Sequence, residues 1–282
     1  MKMSGWFLGV LLGTTFVIGL HAQSPEQPLV RQIDHIMMSS DEPEQLFRLF
    51  SEKLGLPVVW AFQSYGTFSS GGVSCGNVNI ELIHLDGRGS GIIGFAMEPG
   101  SVSELVTGLD ARGLKHGSAE PFTRKDSAGN DRLLWTNVDM TNLPPASASL
   151  VFFCKYNGFD VEAGRTRLQG ELQNRRGGPL GIESAIELVM GVRDIAGAQR
   201  DWRLLLGPSI TGEQYVWAVG SGPAIRLIAA QRDQLELLRI KVKSLERARA
   251  FLRGEGLLGG DTGREISLKR TRVAGIDIRL VE

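Results

Sequence analysis

The sequence is poor in the side chains that bind transition metals, with only four histidines and two cysteines in 282 residues. Two cysteines also exclude a disulfide-rich scaffold. The chain also has no excess of positive or negative charge, because 31 basic and 31 acidic residues give a formal net charge of +0. Without a basic surface for a phosphate backbone, the chain is predicted to have no nucleic-acid partner.

A long hydrophobic run is also missing. Residues 6–20 form an apolar stretch of about 15 residues, interrupted by Gly and Thr, whereas a spanning helix needs about 20. The stretch follows Lys2 and precedes Leu20-His21-Ala22, a pattern typical of a signal peptide, residues 1–22, cleaved after Ala22. The sequence therefore predicts a periplasmic or secreted protein without a stable membrane anchor. In that oxidising compartment Cys75 and Cys154 either form one bridge or remain buried free thiols.

One order of elements, a strand, a helix and further strands, occurs four times along the rest of the chain. The four helices are predicted to begin near Asp41, Ser101, Asp194 and Ser244 and to end before Gly55, Gly113, Gly207 and Gly254. The polar, arginine-rich segment 158–179 predicts an inter-domain linker. We therefore predict an α+β fold of four βαβββ units, paired into domains at 31–157 and 180–282. Each domain is expected to be a cupped mixed sheet with helices on its outer face.

Three segments of the first unit carry a family resemblance: Ile33-Asp34-His35-Ile36, Leu54-Gly55-Leu56-Pro57, and residues 76–82, Gly-Asn-Val-Asn-Ile-Glu-Leu. Together with the paired units, they resemble the vicinal oxygen chelate superfamily, which includes glyoxalase I, extradiol dioxygenases, and fosfomycin and bleomycin resistance proteins. Residues 180–282 match it in architecture and hardly in motif. The resemblance implies one divalent metal ion in the cup, held by His or Glu from the first strand and Glu from the last strand of each unit. Such an ion would act as a Lewis acid.

Carried over by position, the ligands of the first unit are His35 and Glu81, with Glu81 alternatively a catalytic base. The second unit departs from the pattern, since its first strand offers Ile93 or Gly94 and its last strand offers Cys154 or Lys155. Cys154 is a candidate third ligand, and Lys155 is a candidate contact for an anionic group of the ligand.

Strand alternation provides an independent test of these positions, because side chains two residues apart share a face. It places Asn77, Asn79 and Glu81 on the cup face, and Val78, Ile80, Leu82 and His84 on the opposite face. It also places His35 on one face with Ile33 and Met37. In the competing interpretation, His35 is an ordinary core residue and Glu81 is a solvent-facing carboxylate.

The second pair of units carries Glu187, Arg226, Arg239 and Arg279 near the corresponding positions. Cations cannot ligate a metal, so this half is predicted to be structural or to form an anion-tolerant cleft. An aromatic run, Trp60, Phe62, Tyr65 and Phe68, is expected to be sheet core rather than a binding site.

Three functions remain open. One is a metal-assisted lyase, isomerase or dioxygenase that acts on a small oxygenated molecule. Another is a non-catalytic protein that sequesters a small molecule in the cup of the first domain. The third is a purely structural exported module. The sequence indicates neither a substrate nor an oligomeric state.

Overall fold

The computed structural model describes residues 28–146 and 148–282, so the predicted signal peptide lies outside the described residues. The chain forms two curled mixed sheets, one of eight strands and one of seven. This is the predicted α+β class. Within the described part of the chain, no helix is long and apolar enough to cross a membrane.

The first sheet is built from two units that meet at antiparallel central strands. Its elements are β1 (Val30–Ser39), α1 (Pro43–Arg48) with a π-helical continuation (Leu49–Lys53), β2 (Val58–Ser64), β3 (Ser69–Ser74), β4 (Asn79–His84), β5 (Gly91–Pro99), α2 (Val102–Ala111), β6 (His116–Lys125), β7 (Asp131–Met140) and β8 (Leu150–Tyr156). The strand order β2-β3-β4-β1-β5-β8-β7-β6 gives each unit one half of the sheet. Strands β1 and β4 pair in parallel, as do β5 and β8.

The second sheet repeats this plan with one strand fewer. Its elements are β9 (Ile182–Val192), α4 (Ile195–Leu206), β10 (Val216–Trp217), β11 (Ala224–Ala229), β12 (Gln234–Val242), α5 (Leu245–Gly254), β13 (Leu258–Asp261), β14 (Glu265–Leu268), a 3-10 turn (Arg270–Arg272) and β15 (Ile278–Val281). The order is β10-β11-β9-β12-β15-β14-β13. The third unit is therefore shorter than the fourth.

Segment 158–179, which was predicted to be an inter-domain linker, contains a 14-residue helix, α3 (Val161–Asn174). The helix begins where the Asp160 carboxylate accepts a hydrogen bond from the backbone N–H of Ala163 at 2.9 Å, which satisfies one of the free amides of the first turn. Leu168 and Leu172 are buried. They lie one turn apart, so they form a narrow apolar stripe on an otherwise polar helix.

The helix-packed faces of both sheets share one hydrophobic core. Trp202 of α4 is fully buried, stacks on Phe95 of β5 with ring centroids 6.2 Å apart, and donates a hydrogen bond to the Pro144 carbonyl at 2.8 Å. Asn77 donates to the carbonyls of Ala185 and Ser221 and accepts from the Ala185 N–H at 2.9 Å. Asn77 was predicted on the cup face, but it instead joins the two halves of the chain.

Candidate small-molecule site in the first cup

The face of the first sheet opposite α1 and α2 lines a cavity of about 940 Å³, which we call the first cup. Its floor contains Asp34 and His35 of β1, Asn79 and Glu81 of β4, and Cys154 of β8. Residues 161–168 of α3 contribute to its wall. The helix missed by the sequence analysis is therefore part of the candidate site.

A β-bulge in β1 brings two adjacent side chains to the same face of the sheet. The pairing of β1 with β5 shifts register between Ile33 and His35, so that Asp34 has no partner residue in β5. Asp34 and His35 consequently both line the cup, while Ile33 is fully buried in the helix-packed core. The predicted face shared by Ile33 and His35 is wrong for this reason, although Met37 does lie on the cup side.

The structure brings His35 and Glu81 together at the floor of the cup. His35 Nε2 lies 3.5 Å from Glu81 Oε2, and His35 Nδ1 lies 2.7 Å from Asp34 Oδ2. The imidazole is thus held between two carboxylates. All three residues are less than 9% exposed, so water screens these charges weakly.

Burial alone would lower the pKa of His35, but the hydrogen bond to Asp34 and the charges of Asp34 and Glu81 outweigh it, and the pKa of His35 is raised. A raised pKa favours the imidazolium, which has a proton on each nitrogen to face the two carboxylates.

This titration predicts that stability depends on pH. Because the folded-state pKa of His35 is raised, its contribution is complete below the unfolded value of about 6.5 and is lost as pH rises through the folded value. We expect the difference in unfolding free energy between the wild type and His35→Gln to shrink as the pH rises above about 6.5. Urea denaturation at a series of pH values measures this difference, and a difference that stays constant with pH would contradict the raised pKa.

Asp34 is supported on its other side by residues that the sequence analysis did not single out. The Tyr156 hydroxyl donates to Asp34 Oδ2 at 3.1 Å, and burial together with the charge of Asp34 raises the pKa of Tyr156 well above its usual value. The Arg165 guanidinium of α3 lies 3.7 Å from Asp34 Oδ1 and 2.9 Å from Glu98. These contacts hold a buried carboxylate against His35 and compensate its charge.

The two candidates on β8 have different positions. Cys154 is buried and lines the cup, and burial raises the pKa of its thiol. Cys154 and Tyr156 line the cup, whereas Lys155 between them does not. The reason is that neighbouring side chains of a strand point to opposite faces of the sheet. The structure therefore does not support Lys155 as an anion contact in the cup. Cys75 lies in the helix-packed core, and both cysteines are free thiols.

The donor atoms fit a divalent metal only in part. Within residues 28–146 and 148–282, no group of three or more His, Cys, Asp or Glu side chains is placed to hold an ion. Strands β1 and β4 of the first unit pair in parallel, as do β5 and β8 of the second unit. When these two strand pairs are aligned at their first paired residues, His35 corresponds to Gly94 and Glu81 corresponds to Phe152. The Phe152 ring lies edge to face against the His35 ring, and the two ring centroids are 5.7 Å apart. An apolar ring thus occupies the position that would complete a symmetrical ligand set.

The opposite side of the cup is aromatic. Phe122 and Trp135 stack with centroids 4.2 Å apart and an interplanar angle of 3°, and Tyr65 stacks on Phe68 at 5.0 Å. Tyr65 also meets Trp135 edge to face at 6.2 Å. We call these four residues the aromatic wall. Tyr65 and Phe68 were assigned to ordinary core, and Phe122 and Trp135 come from another unit, so only the fold shows that the four belong together.

The corresponding face of the second sheet carries alternating ion pairs. Glu187 binds Arg226 at 2.5 Å and also binds Arg239, and Glu265 binds Arg239 at 2.9 Å and Arg279 at 3.0 Å. Each arginine is already paired with a carboxylate. This arrangement supports the structural interpretation of the second half and leaves these cations poorly placed to bind an added anion.

No protein-family model and no curated protein matches the sequence. Solved structures do match over most of the chain. A hypothetical protein from Staphylococcus aureus is 10% identical with a TM-score of 0.58, covering 88% of this chain and 97% of the other. Homoprotocatechuate 2,3-dioxygenase from Arthrobacter globiformis is 12% identical with a TM-score of 0.55, covering 90% and 80%. An Mn(II)-bound glyoxalase from Novosphingobium aromaticivorans is 13% identical with a TM-score of 0.54, covering 89% and 81%. The chain thus has the fold of the vicinal oxygen chelate proteins.

Proposed function

We propose that the first cup binds one small, largely planar organic molecule. The flat apolar part of the ligand stacks on the aromatic wall, and a polar group meets the His35–Glu81 pair. The observation that carries the proposal is that both features face one cavity of about 940 Å³, a size typical of small-molecule sites. Export of the mature protein, as indicated by residues 1–22, would place this binding outside the cytoplasm.

Binding without chemistry is the better supported of the two functions that use the cup. Catalytic zinc sites, for example, usually have three protein ligands, whereas the cup offers the close pair His35 and Glu81 with Phe152 at the symmetry-related position. The second candidate is a metal-assisted lyase, isomerase or dioxygenase. The 3.5 Å separation of His35 Nε2 and Glu81 Oε2 favours it, since two ligands of one ion lie about this close.

The binding proposal predicts a specific effect of the aromatic wall. We expect Trp135→Leu to weaken binding of a planar aromatic probe by about tenfold, equivalent to the ~1.4 kcal/mol of a lost stacking surface. Titration calorimetry with a panel of substituted phenols and aromatic amines measures the change. Leu133→Ala is the matched control, because Leu133 lies on the same strand and does not line the cup. Equal affinities for wild type and Trp135→Leu would place the probe elsewhere.

Metal analysis separates the two candidates. Elemental analysis of untagged wild-type protein, His35→Ala and Glu81→Ala shows whether a divalent ion copurifies and whether these two residues hold it. A stoichiometric ion that is lost in both variants would favour the metal-assisted enzyme. Binding of the aromatic probe by a metal-free wild type supports the sequestering function.

A further inference from the structure

A second cavity, of about 510 Å³, lies between the two halves of the chain. Residues 87–93, which connect β4 to β5 and begin β5, line it together with Ala148 and Ser149. From the other half come Arg232, residues 234–236 at the start of β12, Arg270, and residues 275–277 before β15. None of these residues lines the first cup. We call this cavity the inter-sheet cleft.

Three arginines line the inter-sheet cleft, and they outnumber its acidic residues. Arg270 is paired with Asp277 at 2.9 Å, and the same carboxylate also binds Arg279 at 3.0 Å. Glu236 is the other lining carboxylate, and it accepts a hydrogen bond from Gln234. The buried Asp277 is thus already shared by two cations, which leaves the cleft with an excess of positive charge.

Arg88 and Arg232 are the cations available to a ligand. Neither lies within 4.0 Å of a carboxylate in the described part of the chain, and both are exposed. Arg88 donates a long hydrogen bond of 3.4 Å to the Ala148 carbonyl, which keeps its guanidinium at the cleft. The two residues come from different halves, so an anion that contacts both would span the boundary between the sheets.

The geometry points to a binding site for a small polyanion, a molecule with two or more carboxylate or phosphate groups, in the inter-sheet cleft. Guanidinium groups suit such ligands because their planar N–H forks match carboxylate and phosphate oxygens. Cavities at the boundary between two packed units are frequent ligand sites. The site is independent of the first cup and of the function proposed for it. By linkage, a ligand that bridges the two halves stabilises the folded chain.

Titration calorimetry and thermal unfolding test this site with pyrophosphate and citrate as probes, at ionic strength matched with sodium chloride. Wild-type protein is expected to bind at least one probe and to melt at a higher temperature with it. The preferred probe distinguishes a phosphate from a carboxylate ligand. Arg88→Gln and Arg232→Gln are each expected to weaken binding by about tenfold, the effect of losing one charged hydrogen-bonding group.

Arg264→Gln is the matched control, because Arg264 is exposed, lies outside both cavities and changes the net charge by the same amount. It should leave the affinity unchanged. Failure of both probes to bind at millimolar concentration would overturn the proposal, and so would equal weakening by all three substitutions, which would indicate nonspecific attraction. Neither outcome bears on the binding of aromatic probes in the first cup.

Discussion

Trp202→Ala is expected to lower the free energy of unfolding by about 4 kcal/mol, the usual cost of removing a large buried aromatic side chain. Trp202 is fully buried and lies where the two halves meet, stacked on Phe95 and hydrogen-bonded to the Pro144 carbonyl. The substitution leaves a cavity and an unpaired carbonyl at the same point. Denaturant unfolding followed by circular dichroism measures the loss.

Leu204→Ala provides the control for this prediction. Leu204 lies two residues away on α4, but it is 47% exposed, so its loss should change the free energy of unfolding by less than about 0.5 kcal/mol. If Trp202→Ala cost no more than Leu204→Ala, the shared core would not hold the two halves together in solution.

The second large effect is expected at Glu187 in the ion-pair network of the second sheet. Glu187→Gln should lower the free energy of unfolding by about 2 kcal/mol, because Arg226 and Arg239 would lose their shared carboxylate and repel each other. This expected loss is smaller than the cost of breaking a fully buried ion pair, because the side chains of Arg226 and Arg239 are 34% and 26% exposed. Urea denaturation at neutral pH measures this difference.

Glu183→Gln is a matched substitution on the same strand. Glu183 pairs with Lys241 at 3.2 Å, and both side chains are nearly half exposed, so the expected loss is at most about 0.5 kcal/mol. Equal effects at Glu183 and Glu187 would show that the network contributes no more than an isolated surface pair.

The sequence predicted the elements whose signals are local. The helices α2, α4 and α5 begin at Ser101, Asp194 and Ser244 as expected, because each of these side chains accepts a hydrogen bond from a backbone amide of the first turn. The alternation of β4 also holds, with Ile80 and Leu82 in the core and Glu81 on the cup side.

The features that the sequence did not predict depend on pairing between distant segments. The bulge at Asp34 is a property of how β1 pairs with β5, so alternation within β1 alone placed Ile33 on the wrong face. Helix α3 has two buried leucines, too few for a clear helical pattern, and its polar composition resembles that of a linker. The capping residue Asp160 was the one local sign of it.

The candidate site also has one part that the sequence predicted and another part that only the fold shows. His35 and Glu81 could be proposed from the resemblance, and their 3.5 Å separation required the parallel pairing of β1 with β4. The aromatic wall combines Tyr65 and Phe68 with Phe122 and Trp135, which are more than 50 residues further along the chain. Neither pattern nor composition indicates a cluster assembled across two units.

The placement of α3 limits where the chain can be divided without losing part of the first cup. Leu168 and Arg165 line the first cup, and Arg165 compensates the charge of Asp34, although both residues follow the last strand of the first sheet. A fragment that ended at Tyr156 would contain all eight strands and still lack one wall of its own cup. A fragment would therefore need to extend at least to Leu168 to contain every part of the chain that lines the first cup.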